Sequence, residues 1–140
     1  MSTKRWLTAL AGTGITFTAV DAVWISQVAQ DIYRTQIPHL MGKGFSAAPA
    51  LIFYGTYLAG SVHLAVKPGE AGRTWKERAR DGAVLGALAY GAWGFTGAAV
   101  LDRFPLSVAL SDFAWGAALT SASAVVGGLA MDRFAPREVD

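Results

Sequence analysis

The sequence predicts an all-α integral membrane protein, a four-transmembrane-helix antiparallel bundle with both termini in the cytoplasm. Three observations carry this expectation. Of 140 residues, 53% are hydrophobic and only 16% charged, against roughly 25% charged in an ordinary soluble domain. The charges are absent from four long runs. Lysine and arginine collect on alternate connections between those runs.

The first run, residues 6–29, holds Asp21 as its only acidic, basic or His residue. The second, residues 45–66, holds only His63; the third, residues 82–101, holds none; the fourth, residues 106–130, holds only Asp112. A hydrocarbon core of ~30 Å needs ~20 helical residues, so each run is long enough to span. Loops exposed to lipid at this length are excluded by the cost of unpaired backbone groups, and the absence of period-two alternation argues against a barrel. A soluble bundle would show a polar face on every helix, and the third run offers nothing more polar than Gly86, Tyr90, Trp93 and Thr96. The four runs form one transmembrane domain over residues 1–140.

Lys4, Arg5, Lys67, Arg73, Lys76, Arg78, Arg80, Arg133 and Arg137 fall on one side of such a bundle; Arg34, Lys43 and Arg103 fall on the other. That asymmetry places both termini inside by the positive-inside rule and makes the first run an uncleaved signal anchor. A cleaved signal peptide is disfavoured because the run exceeds a usual apolar region and no Ala-x-Ala site closes it. The expected setting is the inner membrane of a bacterium.

The connections are read in chain order. Residues 30–44 form an external loop with an interfacial helical turn stopped by Pro38. Residues 67–81 open on the turn signal Pro68-Gly69 and continue as a short basic amphipathic helix on the anionic leaflet, or as a solvated loop. Asp102-Arg103-Phe104-Pro105 is so short that the third and fourth helices must be antiparallel neighbours. The tail after Met131 is expected to fray.

Without cysteine there is no disulfide, thiolate metal site or thiol nucleophile. No metal set is present, no cofactor is required, and nucleic acid is disfavoured as a partner because the charges are gathered in short connecting segments and no separate basic domain could hold a duplex. Asp21-Ala22-Val23-Trp24 and Asp112-Phe113-Ala114-Trp115 echo one another in the first and fourth helices. An inverted repeat of the transporter kind would not pair those two helices. By count along each helix both carboxyls sit in the outer third of the membrane, where they must face inward and find donors. The candidate polar core is Asp21, Trp24, Tyr54, Tyr57, Trp93, Thr96, Asp112 and Trp115. It reads either as interhelical hydrogen bonding or as a pocket for a headgroup, cation or proton. Small residues at four-residue spacing, among them Gly82, Gly86 and Gly116, let helices approach closely or dock another subunit.

The run Asp21-x-x-Trp24, Tyr33, Leu40-Met41, Ala48-Pro49-Ala50-Leu51-Ile52-Phe53-Tyr54-x-x-Tyr57-x-x-Gly60 and Val66-x-Pro68 resembles the small membrane proteins of domain of unknown function 2177. Gly86-Ala87-Leu88-Ala89-Tyr90, Phe104-Pro105-Leu106 and Asp112-x-Ala114-Trp115-Gly116 extend the resemblance to about residue 130. It implies a four-helix bacterial inner-membrane protein without an attached activity. The resemblance also implies a Tyr-Asp-x-Thr-Asn-like motif in the third helix, where this chain reads Trp93-Gly94-Phe95-Thr96-Gly97. With Gly94 and Gly97 in place of a carboxylate and an amide, that face suits a neighbouring helix, lipid or pigment. The sequence therefore favours a non-catalytic accessory or structural subunit, or a binder of a lipophilic molecule, with membrane lipid, another integral membrane complex or a lipophilic pigment as partner. A small proton-coupled carrier and a lipid-headgroup enzyme built on the two Asp residues are the alternatives.

Overall fold

The computed structural model describes residues 2–138, which are helical with no strand among them. Four helices are each long and apolar enough to cross a membrane: α1 Thr3–Gln36, α2 Ala47–Val66, α3 Trp75–Val100 and α4 Leu106–Phe134. Their outer surface is apolar, with Ile15, Leu51, Leu88 and Val100 all about 70% exposed. Polar groups lie inside instead: Thr13, Asp21, Asp112, Thr120 and Ser123 are all buried. Water would penalise that inversion and hydrocarbon favours it.

Helix α4 is the centre of the bundle, with α3 against one flank and α1 against another. Glycine makes the first contact possible. A Cβ on Gly82 would lie 2.8 Å from the Thr120 carbonyl oxygen, and one on Gly94 2.8 Å from the Ala109 Cα. A Cβ on Gly86 would overlap the Gly116 carbonyl, and one on Gly116 would overlap the Tyr90 ring. On the other flank the Gly12 position comes 3.0 Å from the Gly127 Cα. Helix α2 has no such contact. From Ala47 to Gly60 none of its residues is fully buried, and it meets the bundle mainly through its last turns, where Ser61, Val62, Ala65 and Val66 are covered.

The helices outrun the apolar runs in several places. Helix α1 does not stop at residue 29. It passes through a π-helical turn, Ile25–Ala29, and continues over Gln30–Gln36, so much of the expected external loop is helix. Gln, Asp and Arg sustain a helix as readily as apolar residues do. Pro38 then ends it by driving Ile37 out of the helical region, to φ −132° and ψ 46°. The basic segment after Thr74 is likewise no separate surface helix. Thr74 and Glu77 form a reciprocal capping box that starts α3 at Trp75, and Arg78 is buried in the bundle. The tail is also anchored: Arg5 donates to the Ala135 carbonyl at 2.6 Å, and Ala135 is buried. The turn between α3 and α4 is as short as expected, with Arg103 left-handed at φ 48°.

Asp132 of α4 accepts from both Arg5 of α1, at 3.1 Å, and Arg78 of α3, at 2.8 Å. That pair of bonds ties three helices together at the end where α1 and α3 begin and α4 finishes. Gly128 makes room for it, since a Cβ there would overlap the Arg78 side chain.

Close packing at Gly86 gives a direct test. Gly86→Ala should destabilise the bundle by about 1–3 kcal/mol through overpacking. Gly55→Ala, where nothing lies within 4 Å, should stabilise it by up to about 1 kcal/mol through helix propensity. Thermal unfolding in mild detergent reads both; equal effects would contradict the interface described.

Candidate functional site

At the end opposite the Arg5–Asp132–Arg78 cluster, α2 leans away from α1 and α4 and a cavity of about 430 Å³ opens between them. Asp21 and Asp112 both line it, together with Trp24, Tyr33, Tyr54, Tyr90 and Trp115. Each carboxyl is only 5% exposed as a residue. The remaining walls, Ile25, Ala29, Met41, Ala50 and Phe53, are apolar except for the Gln30 amide.

Asp21 is held on both oxygens. The Tyr54 hydroxyl donates to Oδ2, and the Trp115 indole Nε1 donates to Oδ1 at 3.1 Å. Trp115 is itself fixed by stacking on Trp24, with ring centroids 4.3 Å apart and planes 7° from parallel. Because Trp24 and Asp21 belong to α1, Trp115 to α4 and Tyr54 to α2, this group joins three helices. Asp112 is held differently. The Tyr33 hydroxyl donates to Oδ2 and accepts from the Trp93 indole Nε1 at 3.3 Å. Asp112 Oδ1 makes no hydrogen bond among the described residues, and neither does the Tyr90 hydroxyl; both groups line the cavity.

Aromatic rings form the floor. Phe17, fully buried, meets the edges of Tyr54 and Tyr57 at 5.6 Å, and Phe53 stacks on Tyr57 at 5.1 Å. Tyr90 stands edge-on to Tyr57 at 6.1 Å. Such side chains suit the inside of an apolar bundle, each bringing one hydrogen-bonding atom on a large apolar body.

Six of the eight polar-core residues expected from the sequence therefore meet around one space or at its rim: Asp21, Trp24, Tyr54, Asp112 and Trp115 line it, and Trp93 reaches it through Tyr33. Tyr57 sits beneath, its hydroxyl 2.7 Å from Thr120 Oγ1 rather than on a carboxylate. Thr96 points outward, exposed, because it lies on the side of α3 away from Gly94 and Gly97. Those two glycines are occupied within the chain, Gly94 by Ala109 and Gly97 by Phe104, whose ring is 3.2 Å from the Cβ position. Sequence reasoning missed Tyr33 and Tyr90 as site residues. Tyr33 reaches Asp112 only because α1 runs on through its π turn, which adds a residue and rotates the helical turns beyond it. His63 is exposed at the far end of α2, and no cluster of three His, Cys, Asp or Glu suited to a metal occurs among the described residues.

The bond between Tyr54 and Asp21 should be measurable. Tyr54→Phe should lower stability by about 1 kcal/mol, the scale of interhelical hydrogen bonds in lipid. Combined with Asp21→Asn in a double-mutant cycle it should show coupling of at least about 0.5 kcal/mol. Thr96→Val, a change on the exposed face, should stay within about 0.5 kcal/mol. Coupling near zero would mean that the two side chains do not depend on one another.

No curated protein and no solved structure matches the chain. The comparison with protein families does give a match, over residues 6–129, which reaches into all four helices and takes in every residue that lines the cavity. The chain belongs to the family described as predicted membrane protein (DUF2177).

Proposed function

We propose that this protein is a non-catalytic membrane protein that holds a lipophilic molecule in the cavity between α2 and the α1–α4 pair. The molecule's apolar body lies against Phe53, Met41 and the tryptophan stack, and its hydrogen-bond-donating head, a hydroxyl or an amine, reaches Asp112. The observation that carries the reading is the unequal treatment of the two carboxyls. Asp21 is satisfied on both oxygens by Tyr54 and Trp115 and acts as a brace; Asp112 keeps Oδ1 for a ligand, with the Tyr90 hydroxyl nearby. A volume of about 430 Å³ lies within the range of small-molecule pockets, roughly 300–1,000 Å³. An unfilled acceptor in an apolar site is costly, which favours a ligand that supplies a donor.

One support for an accessory role in a larger complex, the glycine face of α3, weakens on this reading. Gly94 and Gly97, which in the sequence invite a neighbouring helix, are already covered, Gly94 by Ala109 of α4 and Gly97 by Phe104 of the turn before it. The setting proposed is the inner membrane of a bacterium, with the end carrying Arg5, Arg78 and Asp132 in the cytoplasm, because Lys and Arg gather there. The cavity then faces the outer half of the bilayer.

Purification from the native membrane in mild detergent, followed by native mass spectrometry and an absorption spectrum, tests the proposal. A bound small molecule in about one-to-one ratio is expected, retained by Asp21→Asn to the extent that the fold persists and lost from Asp112→Asn. Recovery of bulk phospholipid alone, in equal amount from wild type and Asp112→Asn, would overturn it.

A further inference from the structure

The charged end of the bundle holds a second cavity, of about 300 Å³, bordered by Arg5, Arg73, Arg78, Arg137, Glu70 and Asp132. The side chains of Arg5, Arg73 and Arg78 are only 7%, 7% and 3% exposed. Burial of three guanidinium groups is unusual unless each is paired. Here the pairing falls short. Asp132 is shared by Arg5 and Arg78, and Asp81 is shared by Arg73, Arg80 and Lys67. Glu70, more than half exposed, adds a 3.4 Å contact to Arg73. Arg137 donates to the Pro68 carbonyl and has no ion pair among the described residues. The Nε atoms of Arg5, Arg73 and Arg78 are all buried without a hydrogen-bond partner.

We infer that this cavity is a binding site for a phosphate-bearing anion, held by the guanidinium groups of Arg73, Arg78 and Arg137 above the Arg5–Asp132–Arg78 clamp. A phosphate supplies the missing negative charge, and its oxygens match the planar fork geometry of the guanidinium groups that border the cavity. The depth also suits a lipid phosphodiester. Arg78 lies four residues before the apolar run that starts at Gly82, and Asp132 two residues after the run that ends at Ala130. Those positions put the cavity at headgroup level, where basic pockets between transmembrane helices collect anionic lipid. The source is therefore a lipid headgroup or free phosphate, and the chemistry recognised is the same.

The test uses the full-length protein in mild detergent, exchanged against equal amounts of phosphatidylglycerol and phosphatidylcholine and read by native mass spectrometry. Wild type should keep one phosphatidylglycerol under conditions that strip phosphatidylcholine. Arg73→Gln/Arg137→Gln should reduce that retention by about ten-fold or more, the loss expected when charge-assisted bonds are removed. Lys76→Gln/Arg133→Gln removes the same charge from outside the cavity and should leave retention unchanged. Arg137→Gln alone, which gives up only the bond to Pro68, keeps the test open should the Arg73 change prevent folding. Displacement of the lipid from wild type by inorganic phosphate, but not by chloride at equal ionic strength, would identify a general phosphate site; resistance to phosphate would identify a lipid site. Equal losses in the two double variants, or no preference for phosphatidylglycerol together with no effect of phosphate, would overturn the inference.

Discussion

Contact between backbones along α4 governs the rest of this bundle. In hydrocarbon, apolar side chains gain little by leaving lipid for one another, so helices associate through close packing and polar bonds. Gly82, Gly86 and Gly94 bring α3 onto α4, and Gly12 meets Gly127 to bring α1 onto it from another side. Helix α2 has glycines as well, but Gly55 and Gly60 meet nothing within 4 Å. It is held at its C-terminal turns and by single bonds from Tyr54 and Tyr57. A helix attached at one end diverges at the other, and the cavity at Asp21 and Asp112 is the space so created.

The same logic explains why that space is lined as it is. Two carboxyls inside an apolar bundle require donors, and the donors that fit there are tyrosine and tryptophan, which bring a single O–H or N–H on a body that packs as a hydrophobe. Each aromatic donor therefore serves twice, as a partner for the carboxyl and as a wall. Trp115 illustrates the point: its Nε1 bonds Asp21 while its ring stacks on Trp24. Gly116, the next residue, leaves room for Tyr90 to lie against α4 at the cavity. Packing and polar chemistry are not separable here, because a side chain at Gly116 would displace a lining residue.

How far this was legible in the sequence depends on what kind of signal each feature left. The spans were legible because charge is excluded from hydrocarbon, and the four runs around Asp21, His63, Gly86 and Asp112 mark the helices correctly. Helix ends were not, since polar residues such as Gln30, Asp31, Lys76 and Glu77 continue a helix beyond the apolar run. The pairing of Asp21 with Tyr54 and Trp115 is consistent with inward-facing acids and the available donors. Tyr33 was hidden by the assumption that α1 ended before it, and the π turn defeats simple counting along the helix. Thr96 failed because a residue's polarity does not disclose which face of a glycine-rich helix it occupies. Arg78 read as a surface charge and is buried, a placement visible only once Gly128 and Asp132 are seen to make room and a partner for it.

The two ends of the molecule solve the problem of buried polarity in opposite ways, and depth accounts for the difference. Full charges are used where the apolar runs stop: Arg5 and Arg78 close on Asp132, and Arg73 on Asp81, at positions where water can share the desolvation cost. Further into the apolar runs the carboxyls of Asp21 and Asp112 are met by neutral O–H and N–H groups, with no lysine or arginine bonded to either. At Asp112 the neutral Tyr33 hydroxyl bonds one oxygen and is itself backed by the Trp93 indole. The arrangement of donors thus lets two carboxyls sit inside the apolar runs without a countercharge, Asp21 bonded on both oxygens and Asp112 on one.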